Sequence, residues 1–276
     1  MQGRKIPLKD QLTMWLLWIL SLAAASFLLP ATGEVVNSLS ECSLFFLDGV
    51  PPNLRLNNMA VICQKYKTEY YFVTMYDRIR RIPIFSAYLL HPYSTGVRTD
   101  KWKIEPQLAA PKREMVSEHS QIYDLLADSQ AFSRDYTNTP LFDRGHLAPA
   151  CHQSDQDSMD ATFTLTNTVP LDATLNRGQW KAYEQSIKQS TSSCVSTYAI
   201  VGVVPGNTLL NNRVNIPSHI WAAICCEFRN RTKTSWAFIA ENNNQNTVVS
   251  FTLTELERFL SFRYHQSIKL FHNDCK

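Results

Sequence analysis

The segment 142–184 contains the side chains of this chain that are best suited to chemistry. They are the tetrapeptide Asp143-Arg144-Gly145-His146 and, further along, Asn167, Asn176 and Glu184. The last three follow His146 by 21, 30 and 38 residues. The set offers a nitrogen that titrates near neutral pH, a permanent cation, two amides and a carboxylate, which are the groups that hydrolysis of a phosphate ester requires.

Hydrolysis of a phosphodiester needs a base for the attacking water, a cation on the phosphate oxygens, and donors for the charge that develops in the transition state. A neutral His146 can take the proton from water. The amide oxygen of Asn176 is a hard, uncharged ligand of the kind that Mg²⁺ accepts while it keeps most of its waters. We therefore expect His146 as the general base and Mg²⁺, with Mn²⁺ as a substitute, at Asn176.

Glu184 lies eight residues after Asn176. On one continuous helix this separation corresponds to about 12 Å along the axis and about 80° between the two side chains. Glu184 would then reach metal-bound water or a group on the substrate side.

Each of these residues also has an ordinary structural explanation. A single histidine is more often packed or exposed without a catalytic role, Asn176 can cap a helix, and Glu184 can face solvent. Asn167 can belong to a turn, and Arg144 can be a surface charge. The functional interpretation therefore rests on the whole set and its spacing. The role of Asp143 stays open, because it can brace the loop without contacting substrate.

The flanking sequence extends the pattern. Leu147-Ala148-Pro149 follows the tetrapeptide, TFTLTN ends at Asn167, and LNRGQWKAYE ends at Glu184. With the DRGH tetrapeptide, these segments resemble the sugar-nonspecific DNA/RNA endonucleases, which include mitochondrial endonuclease G and secreted bacterial nucleases. The likeness is greatest to the endonuclease domain-containing 1 branch of that family, and it extends from about Cys42 to Leu260.

The resemblance implies an α+β fold in which a central antiparallel sheet is flanked by helices. It also implies a ββα-metal (His-Me finger) core, where a strand carries the histidine and a helix supplies the metal ligand. Such enzymes cleave DNA, RNA or both and leave 5′-phosphate and 3′-hydroxyl ends. Arg144 and Asn167 would hold phosphate and orient the site, as the matching family positions do.

One position departs from the family where charge matters. Bacterial relatives place a transition-state arginine two residues before the tryptophan that matches Trp102, and that position here is Asp100. The candidates for the missing cation are Arg98 or Lys101 from neighbouring positions and the Arg80/Arg81 pair from another strand.

Two further departures lie near the proposed metal ligand. Arg177 follows Asn176, where the family often has Gln or another polar residue, and it would hold substrate phosphate or face solvent. Leu171 stands where the family commonly has Gln after the proline. Arg177, Arg98 and Arg81 are thus our candidate substrate-binding residues.

The rest of the sequence predicts the strands and helices that support these residues. Runs rich in β-branched and aromatic residues predict strands at Tyr70–Tyr76, Ile84–Leu90, Tyr198–Val204, Ile216–Cys226 and Trp236–Ala240. The spacing of Met115, Ile122, Leu125 and Leu126 predicts a helix within residues 111–132 with these four as its buried stripe. Thr254 and Glu257 have the spacing of a capping box, which predicts a helix start.

The first 33 residues have the pattern of a targeting segment. Arg4, Lys5 and Lys9 precede an apolar run that ends near Pro30, and small residues follow. We therefore predict a secretory signal peptide over residues 1–33 and a secreted, extracellular nuclease domain over residues 34–276. The alternative is an uncleaved anchor, because the run approaches the length of a membrane span. No later segment is apolar enough to cross a bilayer.

Charge and composition limit how nucleic acid could be bound. Loss of residues 1–33 removes three basic residues and one acidic residue, which lowers the formal net charge from +3 to +1. Binding of DNA or RNA must therefore depend on local cations. The 45% hydrophobic content is that of a folded domain.

All seven cysteines lie after residue 34. In a secreted chain they predict disulfides, with Cys42–Cys63 as one pair. The odd number leaves at least one free thiol or an intermolecular bridge, which permits a homodimer. Asn230-Arg231-Thr232 is the only N-glycosylation sequon and predicts an exposed loop.

Two other classes of function stay open. One is a secreted protein that binds nucleic acid or protein with the same fold and without turnover, for which Asp100 is the best support. The other is a phosphodiesterase that acts on another polyanion or on a small phosphate ester.

Overall fold

The structure is a computed structural model, and it describes residues 34–109, 115–118, 123–272 and 275. These residues fall in one unit, Glu34–Lys276. The predicted signal peptide lies outside the described residues and stays a prediction. Within the described part of the chain, no helix combines the length and the apolar character that a bilayer span needs.

Strands dominate the described residues. In chain order they are β1 (Val35–Val36), β2 (Met59–Tyr66), β3 (Glu69–Asp77), β4 (Ile82–Leu89), β5 (Lys103–Ile104), β6 (Val116–Ser117), β7 (Phe142–His146), β8 (Thr168–Asp172), β9 (Ser196–Val204), β10 (Thr208–Leu210), β11 (Val214–Ile216), β12 (His219–Glu227), β13 (Lys233–Glu241) and β14 (Val249–Phe251). The α-helices are α1 (Tyr123–Leu126), α2 (Gln156–Thr162), α3 (Ala173–Arg177), α4 (Gln179–Ser190) and α5 (Leu253–Tyr264).

Eight strands form one antiparallel sheet in the order β1-β2-β3-β4-β9-β12-β13-β14. Strand β12 shows why both faces of this sheet are covered, because every residue from Ile220 to Cys226 is buried. Alternate side chains of a strand point to opposite faces, so a continuous apolar run must be buried on both.

The two faces pack against different layers. Trp221 and its alternate neighbours share a core with Leu256 and Leu260 of α5. On the other face, the side chains around Ile220 share a core with Trp180 and other residues of α4. Burial of each large apolar side chain stabilises the fold by roughly 1.5–3 kcal/mol, so both cores stabilise the central sheet. The second face carries the site.

The second face carries a β-hairpin followed by a helix. Strands β7 and β8 pair antiparallel, with His146 opposite Thr168. A Cβ on Gly145 would lie 2.5 Å from Cβ of Leu171, so only glycine allows this approach of the two strands. At the end of β8, the Asp172 carboxylate caps α3 by accepting from the Thr174 and Leu175 N–H groups. This β7-β8-α3 unit is the ββα arrangement that the resemblance implies.

The predicted strands are confirmed with small shifts of their ends, except that residues 214–216 form the separate strand β11. The predicted helix within residues 111–132 is wrong for the described residues there, because only Tyr123–Leu126 is α-helical. Leu126 is buried, but Leu125 is 66% exposed. The capping box of the last helix is formed by Thr252 and Glu255. Glu257 is instead buried and paired with Lys269.

Three disulfides connect the described cysteines. Cys42–Cys63 is confirmed, and Cys194–Cys226 and Cys225–Cys275 join it. Cys151 is the one free cysteine of the seven, all of which are described. Disulfides of this kind persist in oxidising compartments.

Candidate active site

A cavity of about 590 Å³ lies over the hairpin and the two helices that follow it. Six of the eight predicted site residues line it: Arg98, Arg144, His146, Asn176, Arg177 and Glu184. The fold therefore brings together residues that are up to 86 positions apart in the sequence.

His146 stands at the end of β7, and aromatic rings surround its imidazole. The ring centroids of Trp102 and Phe163 lie 5.3 Å and 5.0 Å from that of His146. Its Nε2 is buried and has no hydrogen-bond partner among the described residues. Burial, together with the nearby positive charge of Arg98, lowers the pKa of His146 to about 3. His146 is therefore a neutral imidazole at physiological pH.

Arg144 is held in place by contacts that leave its charge uncompensated. Its guanidinium lies over the Trp102 ring, 4.3 Å from the centroid, and its Nη1 donates to Ser133 Oγ at 2.8 Å. The Ser133 hydroxyl in turn donates to the buried Glu118 carboxylate. No carboxylate forms an ion pair with Arg144 within the described part of the chain, so the guanidinium is available to an anion.

Asp143 determines how the Asn176 amide is presented. Asn176 Nδ2 donates to Asp143 Oδ2 at 2.9 Å, while Arg177 donates to both carboxylate oxygens at 2.9 Å and 2.6 Å. Burial alone would raise the pKa of Asp143, but these hydrogen bonds outweigh it and hold the pKa below its ordinary value. Because a carboxylate can only accept, it selects the NH₂ end of the amide and leaves Asn176 Oδ1 as the end available to a ligand.

The helix between Asn176 and Glu184 is not continuous, which corrects the geometry expected from the sequence. Helix α3 ends at Arg177, Gly178 has a non-helical backbone, and α4 begins at Gln179. A Cβ on Gly178 would lie 2.4 Å from Asn246 Oδ1, the atom that accepts from the Gln179 N–H and caps α4. The break redirects α4, and Glu184 lines the same cavity as Asn176.

Glu184 is half-buried, and its carboxyl is the second titratable group of the site. Burial raises its pKa to about 8, against smaller opposing effects of Arg98 and Lys181. A chain of two hydrogen bonds holds the Glu184 backbone. His152 Nε2 donates to the Glu184 carbonyl at 2.8 Å, and the Tyr88 hydroxyl donates to His152 Nδ1 at 2.9 Å.

These two pKa shifts make stability depend on pH in opposite directions. Below pH 6.5 the unfolded chain protonates His146 while the native chain does not, so stability falls as the pH drops from 6.5 towards about 3. Between pH 4.5 and about 8 the native chain keeps the Glu184 proton that the unfolded chain loses, so stability falls as the pH rises through that interval.

Two predicted site residues lie away from the cavity. Asn167 is fully buried, and its amide bonds to Ser86, Thr162 and both backbone groups of Ala148. The expectation that Asn167 contacts phosphate is therefore wrong, whereas its bonds to Ala148 do fix the loop just after His146.

Arg81 is the second. Its guanidinium donates to the carbonyl oxygens of Ala127, Ile79 and Arg213, so the expectation of a substrate contact there is wrong too. Its neighbour Arg80 is paired with Asp77 and is not at the cavity either. Arg80 and Arg81 therefore serve the structure of the turn and of the segments beside it.

Arg98 is the candidate cation that does reach the cavity. It lies 5.0 Å from the Phe163 ring centroid and pairs with Asp100 at 2.9 Å. Asp100, which occupies the position of the family arginine, is therefore compensated by a cation two residues earlier. Both side chains are 60% exposed, so this pair is weak and can rearrange around an anion.

Leu171, the other departure from the family, is fully buried beneath Gly145 and is part of the core. Trp102, Lys181 and Cys151 are among the lining residues to which the sequence assigned no role. Trp102 contacts both Arg144 and His146. Lys181 adds a cation one turn before Glu184, a position that its spacing along the helix could have indicated. Burial raises the pKa of the Cys151 thiol to about 12, which excludes it as a nucleophile.

The donors at the cavity fit a divalent cation that keeps most of its waters. No group of three or more His, Cys, Asp or Glu side chains suited to a metal occurs among the described residues. The available ligand is the neutral Asn176 Oδ1, with the Glu184 carboxyl on the same cavity. A single amide oxygen with a nearby carboxylate suits Mg²⁺ and does not suit zinc, which needs several nitrogen or sulfur ligands.

Comparisons with known proteins agree with this geometry. A model of the DNA/RNA non-specific endonuclease family matches residues 51–270. The Endonuclease domain-containing 1 protein of Homo sapiens is 29% identical over 256 residues, which are 88% of this chain and 49% of the relative. Human mitochondrial Endonuclease G is 30% identical over 112 residues, 36% of this chain and 37% of the relative. This chain spans about half the length of the Endonuclease domain-containing 1 proteins that it matches.

A solved structure of the EndoG/EndoGI complex aligns with a TM-score of 0.55 and 20% identity. The alignment covers 81% of this chain and 90% of that one, so it concerns the fold alone. The α+β, ββα-metal nuclease fold predicted from the sequence is confirmed.

Proposed function

Since this chain belongs to the DNA/RNA non-specific endonuclease family, we propose that it is a metal-dependent endonuclease that hydrolyses phosphodiester bonds of DNA, RNA or both. The observation that carries the proposal is the convergence of His146, Asn176, Arg144 and Glu184 on one cavity. Each supplies a different requirement of the reaction.

His146 acts as the general base. Its imidazole takes a proton from the water that attacks phosphorus, and its low pKa ensures that it is neutral at physiological pH. The same low pKa means that the imidazolium must be stabilised as it forms. The phosphate of the substrate would provide that negative charge.

Arg144 and Arg98 stabilise the negative charge that develops on the phosphate. Arg144 is fixed on Trp102 and has no carboxylate partner among the described residues, so it can bind phosphate without rearrangement. Arg98 must first exchange its exposed pair with Asp100 for a phosphate oxygen. Arg177 and Lys181 line the cavity and would contact flanking phosphates.

Asn176 Oδ1 would hold Mg²⁺, and Glu184 would orient its water ligands. When bound, the ion supplies a Lewis acid for the phosphate oxygens and stabilises the departing 3′ oxygen. Asp143 contributes by fixing the Asn176 amide, and the ends produced would be 5′-phosphate and 3′-hydroxyl. Because contacts of this kind are made to phosphate, sequence preference should be slight.

We further propose that the protein is secreted. Three disulfides are consistent with an oxidising compartment, and Asn230 of the sequon lies exposed in the turn between β12 and β13. Cleavage of residues 1–33 as a signal peptide and formation of a homodimer belong to the same proposal.

A binding protein without turnover is the second candidate. Asp100 favours it, because part of the charge of Arg98 is already compensated before substrate arrives. Such a protein would retain the cavity and its affinity for phosphate without cleaving.

The test is cleavage of supercoiled plasmid, single-stranded RNA and a small phosphodiester by the purified protein, in Mg²⁺ and in EDTA. Mg²⁺-dependent cleavage of either polymer supports the endonuclease, and cleavage of the small diester alone points to a phosphodiesterase. Intact substrates together with retained binding of nucleic acid would replace the proposal with the binding protein.

A further inference from the structure

A second groove lies beside the active-site cavity on helix α4. It has a volume of about 520 Å³ and is lined by Pro92, Tyr93, Gln185, Lys188, Gln189 and Ser192. We call these six residues the flanking groove. Gln185 lines both the flanking groove and the active-site cavity, so the two are adjacent.

The charge of the flanking groove suits a polyanion. Lys188 is its one charged lining residue, and none of its lining residues is acidic. On α4, Lys181, Gln185 and Lys188 lie at positions i, i+4 and i+7, which place them on one face of the helix. Lys181 and Lys188 are separated by about 10 Å along the axis, or about three steps of stacked bases. This face therefore forms a track of two cations that leads away from the active site.

Tyr93 is the aromatic residue that lines the flanking groove. Its side chain is 75% exposed, which is a high value for a large ring beside a cavity. An exposed ring next to cations is the arrangement with which proteins bind single-stranded nucleic acid, because bases stack on the ring while phosphates meet the cations. A base in a duplex is already stacked on its neighbours and cannot do this without unpairing.

The segment that carries Tyr93 is anchored and also carries a site residue. His91 N donates to the His152 carbonyl at 2.9 Å, and Thr95 N donates to the Ser154 carbonyl at 3.0 Å. Gly96 packs closely on α2, since a Cβ there would lie 2.2 Å from Met159 Sδ. Arg98 follows in the same segment. Tyr93 and Arg98 are thus positioned together on the surface of α2 and the residues before it.

We propose that the flanking groove binds an unpaired nucleotide next to the cleaved bond, with Tyr93 stacked on its base and Lys188 on its phosphate. The inference rests on the proposed function, since the occupant is the substrate of the same site. It adds that single-stranded stretches of nucleic acid are bound in preference to continuous duplex.

The test measures binding in EDTA, where no metal-dependent cleavage occurs. A fluorescently labelled single-stranded 12-mer is titrated with the intact protein and followed by anisotropy. Tyr93→Ala should weaken binding by about 5- to 150-fold, because one stacked base contributes roughly 1–3 kcal/mol. Tyr93→Phe keeps the ring and should stay within about two-fold of the wild-type chain. Lys188→Gln should reduce the slope of log K against log salt by about 0.7.

Two matched variants control for general effects. Phe262 on α5 is 74% exposed, close to Tyr93, so Phe262→Ala removes a comparable ring elsewhere. Arg258→Gln removes an exposed cation from the same distant helix. Both should bind like the wild-type chain, and Tyr93→Ala should change binding of a blunt duplex of the same sequence by less than about two-fold.

The outcomes separate this inference from the proposed function. Equal effects of Tyr93→Ala and Phe262→Ala, or no binding of the single strand by the wild-type chain, would overturn the inference even if the protein cleaves plasmid. If Tyr93→Ala specifically weakens binding in EDTA but the wild-type chain cleaves nothing in Mg²⁺, the inference about the flanking groove is supported and the proposed endonuclease activity is contradicted. If both hold, Tyr93→Ala should raise KM for the 12-mer in Mg²⁺ by a similar factor with little change in kcat.

Discussion

Replacement of Asp143 by asparagine isolates the contact that orients the proposed metal ligand. The Asn176 Nδ2 to Asp143 Oδ2 bond of 2.9 Å is charge-assisted and only 20% of the Asp143 side chain is exposed. Hydrogen bonds to charged groups contribute about 1.5–3 kcal/mol and neutral ones about 0.5–1.5 kcal/mol. Asp143→Asn should therefore weaken the hydrogen bond that orients the Asn176 amide by about 1–1.5 kcal/mol, or roughly ten-fold in an equilibrium constant. Loss of such partners of metal ligands typically lowers metal affinity by about 10- to 100-fold.

The assay is the initial rate of plasmid nicking at increasing Mg²⁺. We expect the Mg²⁺ concentration for half-maximal rate to rise about ten-fold in Asp143→Asn, with a smaller change at saturating Mg²⁺. Arg177→Gln is the matched control, because it removes the other partner of Asp143. The Arg177 side chain is 71% exposed, so that ion pair contributes only about 0–1 kcal/mol. An unchanged Mg²⁺ dependence in Asp143→Asn, or an equal shift in Arg177→Gln, would refute the orienting role.

The remaining predictions concern the two titrating groups and the helix break. In metal-free protein the NMR signals of His146 should not titrate between pH 5 and 8, because burial lowers its pKa to about 3; a midpoint near 6.5 would contradict this. Glu184→Gln should remove much of the decline in thermal stability between about pH 4.5 and 8, since the native carboxyl keeps its proton up to about pH 8. Parallel curves of melting temperature against pH for the wild-type chain and the variant would contradict the raised pKa. Gly178→Ala should destabilise the protein by about 1–3 kcal/mol in urea unfolding because its Cβ would meet Asn246 and backbone, and wild-type stability would show that the break tolerates a side chain.

The local sequence predicts most of the sheet and the content of the site. Strand β12 is an apolar run that can only be buried on both faces. The DRGH tetrapeptide, Asn176 and Glu184 supply residues that line the cavity, and the family resemblance that they carry implies the ββα unit. Spacing alone does not reveal the break at Gly178, because glycine is tolerated within helices and the clash that requires it comes from Asn246, 68 residues later.

The site predictions that failed concern residues whose surroundings come from distant segments of the chain. Asn167 and Arg81 have the residue types of phosphate-binding groups, but buried carbonyl and hydroxyl groups from other segments use up their hydrogen bonds. Arg98 belongs to a segment without regular secondary structure, so no periodicity indicates where it points. Its position depends on packing against Phe163.

The most direct test of the account is plasmid nicking by the purified wild-type chain, His146→Ala and Asn176→Ala, each in Mg²⁺ and in EDTA. Asn57→Ala, an exposed asparagine that does not line the cavity, serves as the control. We predict nicking by the wild-type chain and Asn57→Ala in Mg²⁺ only, with a loss of about 10²- to 10⁴-fold in His146→Ala and a comparable loss in Asn176→Ala. Full Mg²⁺-dependent activity in His146→Ala or Asn176→Ala, or an intact plasmid with well-folded wild-type protein, would contradict the proposed mechanism.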